Sequence, residues 1–261
     1  MPEALEAELQ TAIDAAREAG AEVMRLRGEG MRFGRKGGRE LISEADIAAA
    51  ELLHDRLLAP FPDTGWLSEE HIDTTHRLGC ERVWIVDPID GTREFLQGVP
   101  EFAISIGLAI DGQPALGVVH NPASNEMFAG VVEPGARAEP SQARDPSAPY
   151  RVLVGRAEAS WDEVPPLPGR PRTFGIGSVA YRLAKLAGGG GDVVVTNYGR
   201  AEWDVAAGIA ICLQAGLRAT DVLGEPITFN KPDPDVRGLL VAGASLHDEI
   251  SSHFNRIMQR R

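Results

Sequence analysis

A chain of 261 residues, 43% hydrophobic and 25% charged, can bury one large core or two modest ones and has the balance of a soluble globular protein. Its formal net charge of −12 argues against a nucleic-acid polymer as partner, because binding a polyanion needs a basic footprint. No apolar run approaches the roughly 18 residues that cross a bilayer, which argues against membrane insertion.

Chain order gives the following expectations. The start, with Glu3 and Glu6, has no basic-then-apolar leader. Residues 3–27 read as a helix with Leu5, Leu9, Ile13, Ala16, Val23 and Leu26 roughly on one face. Gly28, Gly30, Gly37 and Gly38 break it, and Arg32, Arg35 and Lys36 make that stretch locally basic. Ser43-Glu44-Ala45-Asp46 resembles a capping box opening a second helix, which Pro60 and Pro62 end. Val83–Val86 reads as a buried strand stopping at Asp87-Pro88. Ala103–Ile110 and Ala115–His120 flank the hairpin signal Asp111-Gly112, and Glu126–Val132 adds a third strand. Residues 133–150, rich in Pro, Ala, Ser and Asp, read as a boundary or a long surface connection. Beyond them, strand-like Arg151–Val154, Val193–Thr196 and Leu239–Val241 alternate with helix-like 178–187, 204–215 and 246–259, which predicts an α/β second half. Gly188–Gly191 reads as a helix-ending loop. Cys80 and Cys212 are too few for a disulfide framework and lie outside metal-ligand spacing, which fits a reducing cytoplasm.

Chemistry concentrates in Asp87-Pro88-Ile89-Asp90-Gly91-Thr92, between a predicted strand and the short helix begun by Arg93-Glu94-Phe95-Leu96. Pro88 fixes φ, Gly91 allows an unusual turn, and two carboxylates emerge at the strand's C-terminal end. Such oxygens suit a hard cation such as Mg²⁺, and the Gly91 and Thr92 amides would welcome phosphate at a helix start. An acidic protein still binds a small phosphate where metal cations reverse the local field. The bland alternative is a solvated Asp-Gly turn, and the glycine and glutamate offsets exclude an EF-hand. Glu69 and Glu70 just upstream and Asp204 at the start of a later helix weaken that alternative. A first-turn acid such as Asp204, or a capping acid such as Asp46, remains free to face a metal.

Three separated segments resemble the inositol monophosphatase superfamily of Mg²⁺-dependent, lithium-sensitive phosphatases: Leu41–Leu53 with Trp66–Glu70, Trp84–Gly107, and Glu202–Gly216. The Asp-Pro-Ile-Asp-Gly-Thr run and the Trp203–Gly208 run match its two signatures. The resemblance implies an α+β fold with an α/β second half, layered α-β-α-β-α, with the site between the halves. Residues 1–135 would carry most metal ligands, and residues 148–261 would contribute Asp204 and substrate contacts. It implies metal ligation by Glu69, Asp87, the Ile89 carbonyl, Asp90 and Asp204, with two or three Mg²⁺ ions. Thr92, with Glu69 or Asp46 nearby, would orient the attacking water, while the Gly91 and Thr92 amides hold the phosphoryl oxygens. Ser68, where many members carry glycine, is a departure that could reshape the loop. A homodimer is the family expectation.

The expected reaction is direct attack by a metal-activated water on a small phosphorylated metabolite, with charge neutralisation and positioning supplying most of the rate. No cysteine, serine or histidine is placed as nucleophile, and His54, His71, His76 and His120 read as surface or packing residues. Arg93-Glu94-Phe95 resembles the bacterial 3′(2′),5′-bisphosphate nucleotidases, and a guanidinium beside the site suits a second phosphate. Arg93 could instead pair with Glu94 or Glu101. Arg182 and Arg200 are further candidates for the far phosphate or the base. The leading expectation is conversion of adenosine 3′,5′-bisphosphate to AMP and phosphate. The alternatives are an inositol-1-phosphate, sugar-phosphate or histidinol-phosphate phosphatase, or a catalytically silent metal- or phosphate-binding protein acting as a scaffold or RNA-associated regulator, which the retained acids oppose.

Overall fold

The computed structural model describes residues 5–36, 40–133, 145, 148–160 and 166–258. The first helix, α1 (Glu6–Glu29), ends at Gly30 in the left-handed region (φ 83°). It packs beside α2 (Glu44–Leu58), whose start is the expected capping box: Ser43 accepts from the Asp46 amide, and Asp46 accepts from the Ser43 amide. Ala12, Ala15, Ala16 and Ala19 are almost completely buried, so α1 lies close against its neighbours. Between the two helices runs a hairpin that periodicity did not reveal, β1 (Phe33–Lys36) against β2 (Glu40–Ser43). Gly37 and Gly38 lie outside the described residues.

The helix pair covers one face of a five-stranded sheet. Its strands are β3 (Gly65–Ser68), β4 (Arg82–Asp90), β5 (Ala103–Ile110), β6 (Gln113–Asn121) and β7 (Glu126–Val131), in that spatial order. Only the β3–β4 pair is parallel. A turn joins β5 to β6 with Asp111 and Gly112 both at positive φ (50° and 72°), as the dipeptide foretold. β5 reads as one apolar run because helices cover both its faces.

The helices on the far face, α5 (Val179–Ala187) and α6 (Glu202–Gln214), come from the second half of the chain. A second five-stranded sheet lies behind them, ordered β12 (Arg218–Thr220), β14 (Leu239–Ala242), β10 (Val193–Thr196), β8 (Pro149–Val154), β9 (Arg170–Gly175). The side chains of β8 alternate as the pleat requires. Leu153 packs with α5 and α6, while Val152 and Val154 pack with Leu246 and Ile250 of α7 (Ala244–Met258). The result is the expected five-layer α-β-α-β-α sandwich. Most of residues 133–150 lies outside the described residues.

Seating α6 on the first sheet depends on two cross-strand glycines, Gly107 of β5 and Gly117 of β6. A Cβ at Gly117 would lie 2.1 Å from the Ala207 carbonyl oxygen, and one at Gly107 would lie 3.0 Å from the Ala207 amide nitrogen. Both obstacles are backbone, so neither can rotate aside. Gly117→Ala is expected to destabilise by about 3 kcal/mol and lower Tm by roughly 10 °C, read by thermal denaturation.

The outer layer carries a buried titratable group. His247 of α7 is buried and lies 3.0 Å from the Thr220 hydroxyl, which donates to the Asp221 carbonyl, so the imidazole Nε2 carries the proton. Burial pushes His247 down to about 4. The unfolded chain therefore takes up a proton near pH 6.5 that the fold accepts only near pH 4. This contribution to stability is complete above pH 6.5 and is lost as pH falls through that window. His247→Leu is expected to flatten the acid limb of the Tm–pH curve by about 2 kcal/mol.

Candidate active site

The acidic run lies where β4 leaves the sheet. β4 does not stop at Asp87-Pro88 but continues to Asp90. Asp87 pairs with Ser105 and Asp90 with Ala103 of β5, and the register shifts between them. Pro88 has no N–H to give the ladder, so the strand bulges instead of ending. Inside the bulge, Ile89 N–H donates to Asp87 Oδ1 at 2.9 Å. Gly91 follows at φ 96°, its α-carbon so close to the Glu101 carbonyl that a Cβ would lie 3.0 Å from that oxygen. α3 (Thr92–Gln97) then begins.

Parallel pairing of β3 with β4 brings Glu69 to the same edge, its amide donating to the Val86 carbonyl at 3.4 Å. Lys36 reaches across from the hairpin to the Glu69 carbonyl and, at 3.2 Å, to the Glu70 carboxylate. From α2, Asp46 presents Oδ1 3.1 Å from the Thr92 hydroxyl while its other oxygen closes the capping box. The same hydroxyl lies 3.1 Å from the Ile89 carbonyl. Asp204 arrives from the first turn of α6. Asp90 bridges the halves: its Oδ2 accepts from Ser178 Oγ at 2.5 Å and from the Ala180 amide at 2.6 Å, the first groups of α5.

Burial and like charge act together on these acids. Burial first, then the charges of Asp204 and Glu70, push Glu69 up to about 8. Burial, then Asp90, push Asp204 up to about 7 against the pull of Arg200 and Arg182. Asp87 is held well above the carboxylate range by burial, Glu69, Asp90 and Asp204. Asp90 is raised by burial, opposed by its Ser178 and Ala180 hydrogen bonds. Asp46 is raised by burial, opposed by Ser43. Clustered buried carboxylates of this kind are costly unless a cation compensates them, and an all-oxygen donor set fits a hard divalent cation. Among the described residues, no three acidic, histidine or cysteine side chains are gathered tightly enough to close a coordination shell unaided. Carbonyl oxygen, water and substrate oxygen commonly complete such shells.

One cavity of about 490 Å³ gathers Glu69, Asp87, Ile89, Asp90, Gly91, Thr92, Arg93 and Asp204, with Asp46 behind Thr92. Arg93 lies exposed at its rim. Among the described residues it pairs with neither Glu94 nor Glu101, and Glu101 is held in a bidentate pair by Arg156. Arg182 and Arg200 also line the cavity, both tied to a residue that motif reading missed, Glu158 of α4 (Arg156–Ser160), at 3.3 Å and 2.8 Å. Glu158 also accepts from Thr196 Oγ1 at 2.5 Å and the Gly155 amide at 2.7 Å. No sequence pattern marks Glu158. Ser178, also missed, is the N-cap of α5, a role that a serine before a helical run could have signalled. Of the four histidines read as packing or surface groups, His54 and His71 form an aromatic cluster with Trp66, and His120 is buried.

The extragenic suppressor protein suhB from Bartonella henselae has a similar crystal structure, with a TM-score of 0.77 and 26% identity over 96% of this chain and 99% of that one. The family that the chain matches and relatives similar to it are phosphatases, which makes the chain a phosphoric monoester hydrolase. An inositol monophosphatase of Mesembryanthemum crystallinum is 33% identical over 80% of this chain and 83% of its own. The 3′(2′),5′-bisphosphate nucleotidase CysQ of Escherichia coli is likewise 33% identical, over 74% of this chain and 81% of its own. The chain belongs to the inositol monophosphatase family, whose model matches residues 4–259. Members of that family are generally metal-dependent. Among the described residues, no helix is long and apolar enough to cross a membrane.

Proposed function

We propose that this chain is a Mg²⁺-dependent 3′(2′),5′-bisphosphate nucleotidase that converts adenosine 3′,5′-bisphosphate to AMP and phosphate. The observation carrying this reading is the pair of arginines in the acidic cavity. Arg182 and Arg200 spend one edge of each guanidinium on Glu158, and the Nε groups of both are buried without a hydrogen-bond partner among the described residues. The quarter of the Arg200 side chain that stays exposed can meet a second phosphate through charge-assisted bonds, with Arg182 adding positive charge behind it.

In this reading residues 1–135 carry most of the metal site and residues 148–261 add Asp204 and substrate contacts. Glu69, Asp87, the Ile89 carbonyl, Asp90 and Asp204 would hold two or three Mg²⁺ ions. When bound, Mg²⁺ would make hydroxide available near neutral pH and neutralise charge on the phosphoryl and leaving oxygens. Asp46 fixes the Thr92 hydroxyl, and with Glu69 the two orient the attacking water in line with the scissile P–O bond. The Gly91 and Thr92 amides hold the phosphoryl oxygens, Asp204 also faces the substrate, and Arg93 meets it at the rim. Water oxygen bonds to phosphorus as the ester oxygen leaves and takes a proton. Neither Cys80 nor Cys212 lines the cavity, which is consistent with water as the nucleophile. The working form is a homodimer in the cytoplasm.

With Mg²⁺ present, kcat/KM is expected to favour adenosine 3′,5′-bisphosphate over inositol-1-phosphate by tenfold or more, roughly 1.4 kcal/mol of discrimination. Arg200→Gln should erase most of that preference. Equal or better turnover of inositol-1-phosphate by the unmodified chain overturns the nucleotidase assignment.

A further inference from the structure

Behind the cavity, outside its lining, a polar strap joins the two halves of the chain. Arg77, only 1% exposed, sits in the 3₁₀ turn Thr75–Gly79 between β3 and β4. Its guanidinium grips Asp73 with two hydrogen bonds of 2.7 Å. The remaining edge donates to Asn230 Oδ1 at 2.8 Å and to the Lys231 carbonyl at 3.0 Å. Asn230 returns a bond from its amide to the Arg77 carbonyl at 2.9 Å. Asn230 is itself held at φ 60°, and its backbone N–H donates to Glu202 at 2.6 Å, followed by that of Lys231 at 3.2 Å. Glu202 is fully buried and is the first residue of α6, two before Asp204. Asp73 lies four residues after Glu69.

The strap thus ties the backbone just past Glu69 to the helix start that carries Asp204. These two acids come from different halves of the chain and line the same cavity. Packing alone leaves the halves free to shift against each other, whereas buried, charge-assisted hydrogen bonds resist displacement. We propose that Arg77 and Glu202 are positioning residues that hold Asp204 at a fixed distance from Glu69, so that the cleft keeps a cation-binding width. The inference rests on the metal-binding reading given above.

The test is titration calorimetry of the full chain with Mg²⁺ alone, beside thermal denaturation in chelator. Arg77→Met and Glu202→Gln are each expected to weaken Mg²⁺ binding about tenfold, and the double variant little further, because both cut one strap. Turnover at saturating Mg²⁺ should recover to within about threefold of the unmodified chain, since the ligands themselves are intact. Should Arg77→Met fail to fold, Asn230→Gly removes the side-chain bonds while keeping the left-handed backbone, and is expected to weaken Mg²⁺ binding in the same direction. His247→Ala, far out in the α7 layer, serves as the control: it should lower Tm without moving Mg²⁺ affinity. Unchanged Mg²⁺ affinity in the strap variants, with Tm lowered as in the control, overturns the positioning role and leaves the metal reading standing. Absence of Mg²⁺ binding by the unmodified chain overturns both.

Discussion

Asp87→Asn is expected to reduce phosphate release by about 10³-fold while raising the thermal stability of the metal-free protein. The two effects share one cause. Asp87 is buried, and the largest charges acting on it are other acids: Glu69, Asp90, Asp204 and Asp46. Asparagine has the same shape and can still accept from the Ile89 amide, so the bulge survives. What disappears is an anionic oxygen for the cation and, in the metal-free fold, the cost of burying a carboxyl among other acids. Malachite-green phosphate assays and thermal denaturation in chelator read the two effects separately. Phosphate release unchanged by the substitution would remove Asp87 from the machinery. A drop in metal-free Tm would show that its charge is compensated by something other than a cation.

The second large effect is a pH dependence of stability that divalent metal should reverse. Glu69 and Asp204 keep their protons in the fold up to about 8 and about 7, whereas the unfolded chain releases them near 4.5 and 3.8. The folded state therefore binds more protons throughout that interval. Stability then falls as pH rises through it, and levels off above the folded values. Between pH 6.5 and 8.5 His247 is uncharged in the fold, and only the residual protonation of it, His71 and His120 in the unfolded chain near pH 6.5 opposes that fall. In chelator, Tm at pH 8.5 is expected to lie several degrees below Tm at pH 6.5. Saturating Mg²⁺ should close most of that gap, raising Tm far more at pH 8.5, because the cation replaces the protons. A metal-free Tm that climbs from pH 6.5 to 8.5 would contradict the electrostatics of the site.

Much of this was legible in the chain because the relevant physics is local. Ser43 and Asp46 cap a helix by reaching three residues, and Asp111-Gly112 turns a hairpin through its own φ angles. Asp87, Pro88 and Gly91 shape a bulge and a turn within one stretch. Of the elements that periodicity missed, β3 is buried but only four residues long, and others lack a buried face to print a pattern. β1 is exposed at every position, and β9 is an exposed edge strand containing Pro171 and two arginines. β11 (Arg200–Ala201) and β13 (Asp235–Val236) are too short to show any period. At the site, the carboxylates were legible from their motifs, whereas their partners were not. Ser178 meets Asp90 across 88 residues, and Arg77 meets Asn230 across 153. Arg93 shows the converse limit: sequence adjacency offered it Glu94 and Glu101, but the fold had already given Glu101 to Arg156.

The glycine pair beneath α6 has a consequence for how this enzyme could be altered. Because Gly107 and Gly117 let α6 rest on the sheet backbone itself, the height of Asp204 above the strand ends is gauged by main chain against main chain. No side-chain rotamer intervenes as a spacer that could be lengthened or shortened. Residues lining the rest of the cavity, such as Leu41, Val179 or Arg93, can therefore be exchanged to suit another phosphate ester without recalibrating the spacing of the carboxylates.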